Sequence, residues 1–169
     1  MEIHKKYGLE FRKIAPSDAM LLERWYSMTD YFGYATGFKK FSEINQVLWN
    51  PQKQNKLVLM IDTGEDRKTI GFIYGEYKCV ETQPVLWIHI LIIEPAFQHK
   101  GYGTYAVQKL LHSTRIQYGP MTCFAAVSYK NQQGLSFWKK VGFTHSFDLE
   151  ECLIQKGSSP VAVLKRKIN

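Results

Sequence analysis

Val85-Leu86-Trp87-Ile88-His89-Ile90-Leu91-Ile92-Ile93-Glu94-Pro95-Ala96-Phe97-Gln98-His99-Lys100-Gly101-Tyr102-Gly103-Thr104 is the stretch whose reading decides the fold. The apolar run Val85–Ile93 reads as a strand and stops at Pro95. Both alternating faces are apolar, with Trp87, Leu91 and Ile93 on one and Ile88, Ile90 and Ile92 on the other. A strand without a polar face is a central one, covered on both sides. The turn Gln98-x-x-Gly101-x-Gly103 then opens a helix in which Tyr102, Ala106 and Leu110, with Val107 and Leu111 beside them, are spaced to pack on a sheet. A glycine turn at a helix start presents backbone N–H groups without intrahelical partners. Phosphate oxygens bind such groups, aided by the helix dipole.

Outward from this stretch, the pattern predicts a strand at 9–14, two helices within 17–49, and strands at 56–62 and 69–80. Downstream it predicts a helix over 101–118, a strand at 121–129, a helix at 132–141, and strands at 143–150 and 161–167. Asp62-Thr63-Gly64-Glu65-Asp66, Gly119-Pro120 and Lys156-Gly157-Ser158-Ser159-Pro160 supply the turns. No repeat, linker or low-complexity segment divides the chain, so residues 1–169 read as one domain.

Composition narrows the class. No apolar run approaches the roughly 20 residues a membrane span needs. The start Met1-Glu2-Ile3-His4-Lys5-Lys6 has no apolar export region, which points to the cytoplasm. Cys79, Cys123 and Cys152 are widely spaced and odd in number, so they read as reduced thiols with no metal site. The net charge of +7 fits either an ordinary basic surface or an anionic ligand. The densest basic block, Lys165-Arg166-Lys167, falls in a predicted strand and is too short for a nucleic-acid arm.

A second segment, Asn131-Gln132-Gln133-Gly134-Leu135-Ser136-Phe137-Trp138-Lys139-Lys140-Val141-Gly142-Phe143, follows a strand some thirty residues downstream. It resembles the Asn-x-x-Ala-x-x-Leu-Tyr-x-x-x-Gly-Phe segment of the GNAT superfamily of N-acetyltransferases. The upstream turn resembles that superfamily's acetyl-CoA diphosphate motif. The opening Leu9-Glu10-Phe11-Arg12-Lys13-Ile14-Ala15-Pro16-Ser17-Asp18-Ala19, with Trp25 soon after, looks like its first strand and helix. Locally, Asn131 also suits a helix cap and Gly142-Phe143 a helix end.

The resemblance implies an α/β (α+β mixed) GNAT-like fold: a central twisted mixed sheet of about seven strands flanked by about four helices. It implies an acetyltransferase that moves an acetyl group from acetyl-CoA to a primary amine by direct attack. Leu91, Ile92 and Ile93 would pair with the pantetheine arm. Gln98, His99, Lys100, Gly101, Tyr102, Gly103 and Thr104 would hold the diphosphate. Asn131 and Trp138 would flank the cofactor from the other side. An N–H near Ile92 or Ile93 would stabilise the developing oxyanion. The partners are acetyl-CoA and an amine, with neither nucleic acid nor membrane, and homodimers recur in the family.

Two positions that carry chemistry in the family depart from its pattern here. An acid found in some members five residues before the motif asparagine is here Ala126. The tyrosine that protonates the leaving thiolate is here Trp138, which stands at that catalytic position with an indole donor but no titratable proton. His89 is the substitute base, against the alternative of a satisfied structural histidine; Glu76 and Asp148 are further candidates. For the thiolate, Tyr129 or water can serve, or departure without a strong acid, since a free thiol has a pKa of ~8.5. These departures also admit a non-catalytic acyl-CoA-binding or regulatory module. On the acceptor side, Trp25, Tyr26, Tyr31, Phe32, Tyr34, Phe38, Phe41 and Trp49 crowd one region. Tyr31–Phe38, with Gly33 and Gly37, reads as a loop over the pocket, and Glu23, Asp30 and Glu43 could attract a cationic amine.

Overall fold

A computed structural model describes residues 8–50, 54–157 and 160–169. The basic N-terminal hexapeptide and Ser158-Ser159 of the last turn lie outside the described residues. In chain order the elements are β1 (Leu9–Lys13), α1 (Ala19–Ser27), α2 (Thr29–Thr36), α3 (Phe41–Leu48), β2 (Lys56–Thr63), β3 (Thr69–Val80) and β4 (Gln83–Ile93). Then come α4 (Tyr102–Tyr118), β5 (Met121–Ser128), α5 (Gln132–Lys140), β6 (Thr144–His145), α6 (Phe147–Gln155) and β7 (Val161–Ile168). The strands form one seven-stranded sheet in the order β1-β2-β3-β4-β5-β7-β6. Every pairing is antiparallel except β4 with β5, which are parallel and joined by the α4 crossover.

The sheet is covered on both faces. On one, Ala106, Val107, Leu110 and Leu111 of α4 and Leu135 and Trp138 of α5 pack with Leu86, Ile88, Cys123, Ala125 and Val127. On the other, Leu22, Trp25, Phe32, Phe41 and Leu48 of α1–α3 pack with Met60, Phe72, Ile90 and Ile92. Leu149 and Leu153 of α6 cover Val85, Phe124 and Val163 on that same side. Arg12 ties the first strand down: its guanidinium donates to both oxygens of Asp18 at 2.8 Å, to Asp62 at 2.7 Å and to Thr69 at 2.9 Å. Burial alone would push the Asp18 carboxyl up, but Arg12 and the Ala15 N–H outweigh it and hold it below the usual carboxylate range.

Four expectations need correction. Six helices flank the sheet rather than about four. The segment 17–49 holds three helices instead of two, because Met28 (ψ 63°) breaks the first pair and Gly37 (φ 63°) ends the second helix in the left-handed region. Tyr31–Thr36 is therefore helical and not a loop. Gly33 is small for packing reasons: a Cβ there would lie 2.3 Å from the Phe38 ring. Residues 143–150 form only the two-residue β6 before turning into α6, so Asp148 sits on a helix. The alternation of Phe147 and Leu149 imitated a strand. The Leu149/Leu153 spacing that meets the sheet is helical, and Asp148 and Glu150 suit the helix's positive end.

The fourth correction concerns β4. Ile88 and Ile90 lie on opposite faces, Ile88 under α4 and Ile90 under α1–α3. Tyr74 pairs with Ile90 while Gly75 pairs with Ile88, so His89 is the extra residue of a β-bulge. Strict alternation fails there because two β4 residues oppose one step of β3.

Candidate active site

β4 and β5 hydrogen-bond only over Val85–Ile88 and Thr122–Ala125. Beyond that joint they separate, although β4 stays paired with β3 to Ile93 and β5 with β7 to Ser128. The sheet therefore has a cleft at its centre, with Ile90–Ile93 on one bank and Ala126–Ser128 on the other. An open strand edge inside a sheet accepts an extended ligand as an added strand. Leu91, Ile92 and Ile93 stand on that edge, with the α4 start at its upper end.

The turn leading into α4 is built for close approach. His99 (φ 58°) and Gly101 (φ 90°) both adopt left-handed backbone. The first helical bond runs from the Tyr105 N–H to the Gly101 carbonyl at 3.0 Å, so the N–H groups of Gly103 and Thr104 precede it. Gln98 donates to the Ile93 carbonyl at 2.8 Å and pins the turn to β4. Lys100 donates to the Ala96 carbonyl at 2.8 Å and lies over the Phe97 ring. His99 meets Gln133 of α5 at 3.3 Å across the turn. A Cβ at Gly103 would sit 3.2 Å from Phe137 and 3.6 Å from Ile93. Gly103 thus also lets α4 pack against α5.

Asn131 caps α5, its Oδ1 accepting from the Gly134 N–H at 2.9 Å. Trp138 is buried, its ring edge-on to Phe143 at 4.8 Å. Gly142 (φ 93°) ends the helix region, and the Phe143 N–H returns to the Trp138 carbonyl at 3.0 Å. Glu94 accepts from Trp25 at 2.5 Å and Arg24 at 2.6 Å, which fixes α1 to the end of β4.

The bulge turns His89 onto the face shared with α1–α3. Its ring stacks on Tyr74 at 5.3 Å and lies 6.3 Å from Trp87, which in turn stacks on Phe124 at 5.5 Å. His89 Nε2 is 3.3 Å from Glu76, a carboxylate that also accepts from Lys78 at 2.8 Å and from the Tyr74 hydroxyl at 3.3 Å. Lys78, with His89 behind it, pulls the Glu76 carboxyl down to about 2. Burial lowers the His89 pKa and Glu76 only partly opposes it, so the imidazole is neutral at pH 7. The side chain is 31% exposed, enough to meet a ligand. Burial and Glu76 together push the Tyr74 phenol up to about 12.

A second histidine–carboxylate pair lies at the far edge. Glu150 bonds His145 and the Tyr129 hydroxyl closely and accepts from the Val163 N–H at 3.2 Å. Glu150 raises the Tyr129 phenol to about 12, which makes Tyr129 a weaker acid than a free phenol. Asp148 lies on α6, whereas Glu76 and His89 are brought together. Tyr74 and Lys78 were missed by the sequence reading, although the spacing of Tyr74, Glu76 and Lys78 marks one strand face. Glu150 and His145 had no such signal toward Tyr129, which lies 21 and 16 residues from them.

The profile of the Acetyltransferase (GNAT) family matches residues 20–143, and the chain belongs to this acetyltransferase family. It is therefore an acyltransferase by membership. Its fold is similar to that of spermidine N-acetyltransferase from Vibrio cholerae, solved with CoA and spermine: TM-score 0.71 and 12% identity, covering 95% of this chain and 94% of that one. It is also similar to PaiA N-acetyltransferase from Thermoplasma acidophilum, solved with coenzyme A: TM-score 0.65, 19% identity, 94% and 98% covered. Naa50 from Arabidopsis thaliana, solved with the bisubstrate analogue CoA-Ac-MVNAL, gives a TM-score of 0.58 at 14% identity, with 94% and 98% covered. The comparison with curated proteins finds no match. Among the described residues no helix is long and apolar enough to cross a membrane, and no group of three metal-ligating side chains occurs.

Proposed function

We propose that this protein transfers an acetyl group from acetyl-CoA to a primary amine, with the β4–β5 cleft as the donor site and His89 as the base. The observation that carries the reading is the parting of β4 and β5 directly below a glycine turn and helix start. Family membership and the CoA-bound similar structures support the donor. The residues fit it: an open strand edge for the amide-bearing arm, and the N–H groups of His99–Thr104 for the diphosphate. When bound, acetyl-CoA supplies an activated thioester carbonyl.

The chain's own residues do the rest. The amine must lose a proton, and neutral His89 on the bulge takes it through Nδ1, the ring nitrogen not facing Glu76, directly or through one water. Glu76 orients the ring at 3.3 Å and stabilises the imidazolium that forms. Backbone N–H groups at Ile92 or Ile93 are fixed dipoles and need no reorganisation to stabilise negative charge. We assign Trp138 a packing role. The departing thiolate is stable enough to leave without a strong acid and takes its proton from water, because Tyr129, bound to Glu150, is too weak an acid to supply it. Homodimerisation and a cytoplasmic location complete the proposal, with neither nucleic acid nor membrane as a partner.

A non-catalytic acyl-CoA-binding role is favoured by one observation: the family's proton donor is replaced by the buried Trp138. Thermal unfolding with acetyl-CoA, CoA or neither tests the donor site, and thiol release separates catalysis from binding. At a hundred times its dissociation constant the ligand should stabilise the fold by about 2.7 kcal/mol. Thr104→Asp should keep the helix, because a carboxylate suits its first turn, while repelling the diphosphate. A shift lost in Thr104→Asp supports the reading; no shift at millimolar acetyl-CoA refutes it. A shift without thiol release from any primary amine favours the binding module.

A further inference from the structure

The basic triplet near the C-terminus has no part in the donor site, yet its Lys165 and Lys167 share a sheet face with His89. The strand register forms one cross-strand row: Glu76 opposite Trp87, Trp87 opposite Phe124, Phe124 opposite Lys165, and Lys165 opposite Thr144. The row below it sets Val85 opposite Thr122 and Thr122 opposite Lys167. Above the β5–β7–β6 end of these rows is an open cavity of about 340 Å³ lined by Thr122, Phe124, Gly142, Thr144, Lys165, Arg166 and Lys167. The residue between the two lysines, Arg166, is spent elsewhere: its guanidinium caps α5 through the Val141 carbonyl at 2.6 Å.

No acidic side chain lines the cavity. Among the described residues neither Lys165 nor Lys167 has an ion-pair partner, whereas Lys78 at the other end of the row is paired with Glu76. Two ammonium groups two residues apart on one strand point to one face. With the Thr122 hydroxyl across from them, they form a concave donor set suited to a carboxylate or phosphate, while the Thr144 hydroxyl donates to the Lys165 carbonyl at 3.5 Å. The half-buried Trp87, stacked on Phe124, bridges this end to His89. With neighbouring strands ~4.8 Å apart and residues ~3.3 Å apart along a strand, Lys165, two strands over and two residues down, stands roughly 12 Å from His89.

We propose that the cavity is the distal subsite of the acetyl acceptor, and that the acceptor is an amine carrying an anionic group roughly 12 Å from its nitrogen. This rests on the acetyl-transfer reading and sets its substrate class: the amine lies at His89, an apolar or planar middle lies on Trp87, and a carboxylate or phosphate lies between Lys165 and Lys167. A polyamine, the ligand in the similar Vibrio cholerae structure, would bring a cation to this place.

The test uses amines of one length: 8-aminooctanoate, 8-aminooctyl phosphate, octylamine and 1,8-diaminooctane. In the isotope-labelled full chain, the amides of Thr122, Lys165 and Lys167 should shift with the two anionic compounds and not with the other two. With acetyl-CoA, the better anionic compound should exceed octylamine in kcat/KM by about tenfold, the worth of a charge-assisted contact. Whether the carboxylate or the phosphate leads identifies the source of the anion. In Lys165→Gln/Lys167→Gln the advantage should disappear, and in Lys165→Glu/Lys167→Glu the diamine should lead. Shifts indifferent to charge, or an advantage that survives in the glutamine variant, overturn the inference. If acetyl-CoA stabilises the protein while the anions show no preference, the subsite alone is wrong. If acetyl-CoA does not stabilise it, the acetyl-transfer reading falls and the acceptor role with it.

Discussion

The sheet holds two histidine–carboxylate pairs that differ in what else they touch. Glu150 serves His145, Tyr129 and the Val163 N–H at once, and its residue is buried. Burial pushes its carboxyl up, but Tyr129, His145 and the backbone N–H more than offset this and hold it low. Each group in that cluster is already used. At the other pair, His89 sits 3.3 Å from Glu76, is partly open to solvent, and has its pKa lowered chiefly by burial. A neutral imidazole with room beside it can accept a proton; one locked between a carboxylate and a stacked Phe147 ring serves the fold. Both pairs are His–Glu, so neighbours and not residue type set the role.

Removing each pair in turn should separate these roles. His89→Ala is expected to lower turnover by about 100-fold, the low end of what a positioned base contributes, while leaving acetyl-CoA affinity unchanged. Thiol-release kinetics beside a thermal shift would show it. Glu150→Ala leaves a buried N–H and His145 without their acceptor. Unfolding in denaturant should show a loss of about 1–3 kcal/mol, while turnover per folded molecule stays within about twofold. A large turnover loss there would erase the contrast between the pairs.

The pH dependence sharpens the comparison. Because the folded His89 pKa is lowered, activity should be full at neutral pH and fall on the acid side with a midpoint below the ordinary histidine value of about 6.5. Glu76 opposes that lowering, so Glu76→Gln should move the acid limb to still lower pH. The Glu150 carboxyl is also depressed in the fold. Its stabilisation should be present above the ordinary carboxylate value of about 4.3 and be lost as pH falls through the folded value. The acid limb of activity and the acid loss of stability should therefore be separate events in one titration.

The smallest effect is expected at Ala126. It follows Phe124 on the same strand face and is exposed, so an acid fits there. In a His89→Ala background, Ala126→Asp should recover about tenfold of the lost turnover by putting a carboxylate where some family members carry one. No recovery would place the acceptor amine away from β5.

Much of the fold was legible because its signals are local. The apolar run Val85–Ile93, the Gly101-x-Gly103 turn and the Ala106/Leu110 spacing all appear where periodicity and turn chemistry place them. The parting of β4 and β5 needed the structure, because pairing between distant strands leaves no periodic trace. The bulge at His89 was hidden for the same reason: an apolar run has no polar face whose phase could reveal a slip. α6 was misread because two apolar residues at strand spacing, Phe147 and Leu149, precede the helical partner Leu153. Of the candidate site, Gly101 and Asn131 stand where their motifs imply, while the Glu76 contact of His89 needed the fold.

Amide hydrogen exchange with and without acetyl-CoA addresses the central claim, that the cleft below the glycine turn is the donor site. The account predicts added protection at Ile90–Ile93, at Ala126–Ser128 and at His99–Thr104, with the β1–β2 pairing and the Tyr129–Glu150 cluster unchanged. Exchange that is the same with and without acetyl-CoA at both banks of the cleft would contradict it.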